Sequence, residues 1–124
     1  DNWNMVISKF DLVAAGVAVT QVMPYPYSPV TPVAGEYLAA LKSDDARGPS
    51  PNYTSMEGFV AARVFTEALR RTGKTPTREG LLNAIQAMNA FNAGGFNLSY
   101  GPQKNTGSNF VELTLLTKDG NVRR

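Results

Sequence analysis

Three prolines within six residues, Pro24-Tyr25-Pro26-Tyr27-Ser28-Pro29, constrain this chain more than any other stretch. Proline holds φ at about −65°, lacks the N–H that a strand or helix needs, and pushes the residue before it toward extended backbone. The elements on either side must therefore be separate, joined by a stiff connector that is neither a helix nor an interior strand. Before it, Val17-Ala18-Val19-Thr20-Gln21-Val22-Met23 is rich in β-branched residues and reads as a strand. Its nearly unbroken apolar character predicts burial on both faces. After it, Thr31-Pro32 offers an N-cap followed by proline at the first helical position, and Val33, Tyr37 and Leu41 recur every four residues. That spacing predicts a helix over 32–42.

The rest of the chain continues this alternation of elements. Residues 43–52 are polar, carry prolines and show no apolar period, so a surface loop is expected there. Thr54-Ser55-Met56-Glu57 fits a capping box, in which Thr54 and Glu57 satisfy each other's free backbone N–H groups. From there a helix is expected along Phe59, Ala62, Phe65 and Leu69, widened by Val60, Val64 and Ala68, to a basic last turn and a Gly73 cap. A third helix should follow Thr75-Pro76, turn Leu81, Leu82, Ile85 and Met88 inward, and fade before Gly94-Gly95. Phe96-Asn97-Leu98-Ser99-Tyr100 alternates like a half-exposed strand and stops at Gly101-Pro102. Residues 110–116 set Val111, Leu113 and Leu115 against Glu112 and Thr114, and Asp119-Gly120 leads into a return around Val122, which predicts a terminal hairpin. The class is α/β: strand, connector, three helices, strand, hairpin.

What the chain lacks narrows its chemistry. Among its 124 residues there is no histidine and no cysteine, which removes the commonest general base, thiol catalysis, disulfides and thiolate metal sites. No glycine-rich phosphate loop or nucleophile-elbow pattern is present, so neither an enzyme nor a cofactor is implied. Asp44-Asp45 lacks the ligand spacing and central glycine of a calcium loop, so no metal site is expected. Twelve basic against ten acidic residues leave a net charge of +2. The adjacent basic pairs Arg70-Arg71 and Arg123-Arg124 fall at a helix end and at the last residues, where solvated or dipole-complementing roles account for them, so no nucleic-acid partner is expected. The apolar run over 12–19 is interrupted by Gly16 and is far short of the roughly 20 residues of a membrane span. Asp1-Asn2-Trp3-Asn4 has none of the character of a secretory signal, which is expected to lie outside this piece.

Several segments, in this order, resemble the C-terminal region of type I periplasmic solute-binding proteins of the branched-chain amino acid receptor group. They are Gly16-Val17-Ala18-Val19-Thr20-Gln21-Val22-Met23-Pro24; Glu36-Tyr37 with Ala39-Ala40-Leu41; Ser55-Met56-Glu57-Gly58-Phe59-Val60-Ala61-Ala62; Leu69-Arg70-Arg71; Thr77-Arg78-Glu79-Gly80-Leu81; and Gly107-Ser108-Asn109-Phe110-Val111-Glu112-Leu113. The likeness runs over about residues 16–122, while residues 1–15 match poorly. It implies a fragment of a fold with two α/β lobes joined by crossing strands, a ligand being clamped between them. Residues 24–110 would then belong to the N-terminal lobe, and 17–23 with 111–124 to the hinge and C-terminal lobe.

The resemblance also implies a role. The chain would serve an ABC transporter as its solute-binding component, in the periplasm, taking branched-chain amino acids, or a small organic acid, to the membrane permease. The family's grips on a ligand's amino and carboxylate groups have no counterpart in these residues. Tyr53, in the stretch matching the family's cleft-facing segment, is the expected wall of the ligand's side-chain pocket. Thr54 and Ser55 could donate at the same helix start, where capping alone explains them. Tyr25 leaves a crossing strand on the stiffened connector and is the fourth ligand-binding candidate, with packing as its other explanation. A sensory module without transport, or a homodimer formed by strand exchange between incomplete sheets, are the alternative readings.

Overall fold

The computed structural model describes residues 15–43, 50–119 and 121–124. Residues 1–14, the Asp44-Asp45 pair and Gly120 of the final turn lie outside the described residues. Within these the order is β1 (Ala18–Gln21), α1 (Pro32–Ser43), α2 (Tyr53–Thr72), α3 (Arg78–Gln86), β2 (Phe91–Asn92), β3 (Asn97–Leu98), β4 (Glu112–Leu116) and β5 (Val122–Arg123). This is the expected α/β sequence of elements, with β2 as an addition.

The core lies in the helical layer. α2 packs against both α1 and α3, and buries Met56, Val60, Val64 and Ala68 along one four-residue row. Val33, Ala34 and Tyr37 of α1 complete the layer with Met88, Ala93, Phe96 and Leu98. Val60, Val64 and Ala68, expected to widen the stripe, form its centre, and Phe59 and Leu69 are half-buried at its edge, whereas Phe65 is 51% exposed and Ala62 faces solvent. With neighbours on two sides, the row facing both at once is buried, and a period alone does not choose between adjacent rows. Leu82, expected inward, is likewise 54% exposed, while Leu81 and Ile85 are half-buried beside the core.

Helix starts follow side-chain oxygens. The Thr31 hydroxyl accepts from Ala34 N at 3.3 Å at the head of α1, and Thr77 accepts from Gly80 N at 3.0 Å at the head of α3. At α2 the cap is Asn52, whose Oδ1 accepts from Ser55 N at 2.8 Å. This corrects the capping box: the helix begins at Tyr53, so Thr54 and Glu57 lie inside it. Asparagine is at least as strong a cap as threonine, and the buried Tyr37 hydroxyl fixes the Asn52 backbone by accepting its N–H at 3.0 Å. A tertiary bond selects the earlier of two competent starts.

β1, β4 and β5 form an antiparallel sheet with β4 in the middle. The register pairs Val19 with Thr114 and Gln21 with Glu112, and places Leu115 opposite Arg123. Thr114 is buried, and its hydroxyl donates to Val19 O at 3.0 Å, so its place inside the sheet costs no hydrogen bond. The alternate face is open: Ala18, Thr20 and Leu115 are exposed, as are Leu113 at 58% and Val111 at 65%. Burial of the first strand on both faces is therefore not observed. Among the described residues only the Thr114 and Leu116 side of β4 is covered.

The two glycines expected only to end a helix build a hairpin. Gly94 and Gly95 both have positive φ, at 78° and 87°, and reverse the chain between β2 and β3. Ala93 N donates to Phe96 O at 2.8 Å across the turn, in the manner of the two-residue loops that need positive φ at both positions. Gly94 O then accepts from Val33 N at 2.8 Å, docking the turn on the first turn of α1. A Cβ at Gly94 would stand 2.9 Å from Val33 N. Strain and clash together predict that Gly94→Ala destabilises the full-length protein by about 2 kcal/mol. A urea unfolding midpoint equal to wild type would contradict this.

Candidate functional site

The connector's prolines and tyrosines divide its work. Pro24 and Pro26 are buried, while Tyr25 and Tyr27 project from between and beyond them. The Tyr25 hydroxyl donates to Val122 O at 2.9 Å, tying the connector to β5 across 97 residues of sequence. The Tyr25 and Tyr27 rings meet edge to face with centroids 5.2 Å apart, and Tyr27 meets Tyr53 in the same way at 5.9 Å. Three tyrosines thus bridge the connector and the first residue of α2, in the offset geometry that ring quadrupoles favour. On the far side the Arg124 guanidinium lies 5.9 Å from the Tyr25 ring centroid.

Glu112, the first residue of β4, supplies the charge. Its Oε1 pairs with Arg124 Nη1 at 3.3 Å, whereas Oε2 is closed off from solvent and has no protein hydrogen-bond partner. The Tyr53 hydroxyl is in the same condition. Burial, and then the Glu112 charge, push the Tyr53 phenol well above its ordinary pKa. Burial does the same to Tyr27, with smaller contributions from Tyr25 and Tyr37. A buried polar atom left unpaired costs about 1–3 kcal/mol, and both Tyr53 and Glu112 carry one. A cavity of about 390 Å³ adjoins it, lined in part by Glu112, Arg124, Asn97 and the edge-to-face pair Phe96 and Phe110.

Of the four residues singled out in sequence, Tyr25 and Tyr53 come together through Tyr27. Ser55 turns the other way: its hydroxyl bonds to the Tyr37 hydroxyl at 2.6 Å and to Asn52 O at 3.3 Å, so it stands in the network that starts α2. Thr54 lies exposed on the same turn. Glu112 and Arg124 were missed. Alternation made Glu112 a solvent-facing strand residue and Arg124 a solvated end, and no local pattern foretells that β4 and β5 lay both against the tyrosines. Among the described residues, no group of acidic side chains could hold a metal ion, and no helix is long and apolar enough to cross a membrane.

This arrangement, a helical layer tied through a proline-stiffened connector to a sheet built from distant parts of the chain, can be compared with known proteins. Residues 5–121 match the family model described as periplasmic binding protein. The chain belongs to the periplasmic binding protein family. An extracellular ligand-binding receptor from Verminephrobacter eiseniae superposes with a TM-score of 0.86 at 27% identity, covering 98% of this chain and 35% of the receptor. A substrate-binding periplasmic protein from Ralstonia solanacearum gives 0.85 at 30% identity, over 97% of this chain and 35% of that one. A possible leucine/isoleucine/valine-binding protein from Rhodopirellula baltica shares the fold, with a TM-score of 0.83 at 23% identity, over 98% and 33%. No curated protein sequence matches the chain. This member of the periplasmic binding protein family is thus an α/β segment of the type I fold, and it spans about a third of the length of its solved relatives.

The raised tyrosines carry a pH dependence. Tyr27 and Tyr53 ionise in the folded protein above the ordinary value of 10.0, so the unfolded chain loses those protons first. Their contribution to stability is intact below about pH 10 and falls as pH rises beyond it. Phenolate absorbance followed against pH should show part of the tyrosine population titrating late, and Tyr53→Phe should lessen the alkaline loss of stability. All five tyrosines of the chain titrating together near 10 would contradict this.

Proposed function

We propose that this chain is the cleft-and-hinge portion of the solute-binding component of an ABC transporter, working in the periplasm. It closes on a small molecule, a branched-chain amino acid or a small organic acid, and the closed form is read by the membrane permease. The role is binding, with no reaction attached. The observation that carries this reading is the tyrosine cluster. Aromatic walls, buried polar atoms and a neighbouring cavity gather where a strand hands over to a helical layer, the composition of a small-molecule pocket. Family membership and the likeness to the Verminephrobacter and Ralstonia proteins support it.

On this reading residues 24–110 serve the N-terminal lobe, while 17–23 and 111–124 supply hinge and C-terminal lobe strands. Pairing of β1 with β4 in one sheet, apart from the helical core, supports that division. Tyr25 and Tyr53 are the proposed aromatic contacts of the solute, standing behind Glu112 and Arg124 rather than lining the cavity themselves, while Thr54 and Ser55 mark the helix start beside Tyr53. The open apolar face of β1 and β4 favours a second reading for the chain in isolation: self-association, as a homodimer by strand exchange.

A thermal-shift screen of the full-length protein against amino acids and small organic acids tests the first reading. A true solute at about a hundred times its Kd stabilises by about 2.7 kcal/mol, and Tyr53→Ala should weaken its binding about tenfold through lost aromatic burial. A screen without a saturable shift, or unchanged affinity in that variant, would count against it.

A further inference from the structure

Helix α3 presents a groove away from the tyrosine cluster and from the cavity beside it. Arg78, Leu81, Leu82 and Ile85 recur at the three- and four-residue steps of one helical face, and with Glu79 they border an open groove of about 560 Å³. Leu81 and Ile85 are half-buried against the core, whereas Leu82 stands outward, 54% exposed. A partner that covered this face would remove the Leu82 side chain from water, a favourable transfer.

The charges around the groove are set head to tail. Glu79 lies in the first turn, where the positive end of the helix dipole favours an anion. Arg78 stands at the same end, where the dipole disfavours a cation, and among the described residues it has no ion pair. The last turn of α3 carries no basic residue, so the negative end of the dipole lacks its cation. A second α3 laid antiparallel across the first, with the two Leu82 side chains at the crossing, brings each Arg78 to the other helix's last turn. Arg78 lies four residues before Leu82 and Gln86 four residues after it, so the match is the same in both directions. A parallel copy would instead bring the two Arg78 side chains together. The face is thus complementary to itself, as a two-fold contact requires.

We propose that this face of α3 is a self-association surface: two copies of the protein pair through antiparallel α3 helices, Leu82 against Leu82 and each Arg78 at the C-terminal end of the other copy's helix. The proposal goes beyond solute binding and does not depend on it. With nine residues, α3 is about 13 Å long. That is too short to bury the roughly 800 Å² per partner of a standard interface, so the dimer is weak and forms at high protein concentration. It is distinct from strand exchange, which would use β1 and β4.

Sedimentation of the full-length protein over a concentration series tests this. A monomer–dimer equilibrium is expected, weakened at least about tenfold by Leu82→Glu, which sets two like charges at the crossing. Arg78→Glu should weaken it less, by placing an anion at each helix C-terminus. Both side chains are exposed, so the thermal midpoints of these variants should stay near wild type. The chain has no cysteine of its own. Leu82→Cys should therefore give a disulfide-linked dimer on mild oxidation, and Ala61→Cys, exposed on α2, should not. A protein monomeric at every concentration, or a dimer unchanged by Leu82→Glu, would overturn the proposal. A full-length protein unfolded by Leu82→Glu would overturn it as well, because the face would then be covered within one molecule.

Discussion

The fold depends on a short, bent, proline-bearing connector that runs from β1 to α1 and so joins the sheet to the helical layer. Prolines limit its backbone, two of them are buried, and the Tyr25 hydroxyl pins it to the carbonyl of Val122. Restricting the connector before folding lowers the entropy lost on fixing it, so a single side-chain hydrogen bond and two ring contacts suffice to locate it. Once located, it brings Tyr27 to Tyr53 and sets the start of α2 beside the first residue of β4.

The same junction explains why the site is polar where the surroundings are not. The helical core is satisfied: the Tyr37 hydroxyl, Ser55 and Asn52 close their hydrogen bonds among themselves, and Thr114 finds Val19 O. The unsatisfied atoms sit where helix, connector and sheet meet, on Tyr53 and Glu112. Elsewhere such atoms would be a plain loss of stability. On the function proposed above, they are polar groups that a bound solute would pair with.

Much of this was legible in the residues, for local reasons. Proline spacing, Thr31 as a cap, Gly73 as a stop and the Phe96 to Leu98 alternation are written into neighbours a few positions apart, and the structure follows them; the third helix, expected directly after Thr75-Pro76, is instead capped by Thr77. Where the reading missed, a distant partner decided. Tyr37 moved the α2 cap to Asn52; two flanking helices centred the buried row on Met56, Val60, Val64 and Ala68 and left Ala62 and Phe65 outside it; Val33 turned a glycine pair from punctuation into a docked hairpin. The open face of Val111, Leu113 and Leu115 shows the same limit, since an apolar alternation marks a surface to be covered without saying what covers it. Within the site, the tyrosines could be named from their motif and connector, but Glu112 and Arg124 acquire meaning only when β4 and β5 lie beside them.

A crystal structure of the full-length protein with its solute bound tests most directly whether the tyrosine cluster between the connector and α2 faces the solute. The expected result is a solute in van der Waals contact with the Tyr53 or Tyr25 ring. A solute bound where neither tyrosine borders it would contradict the proposed function.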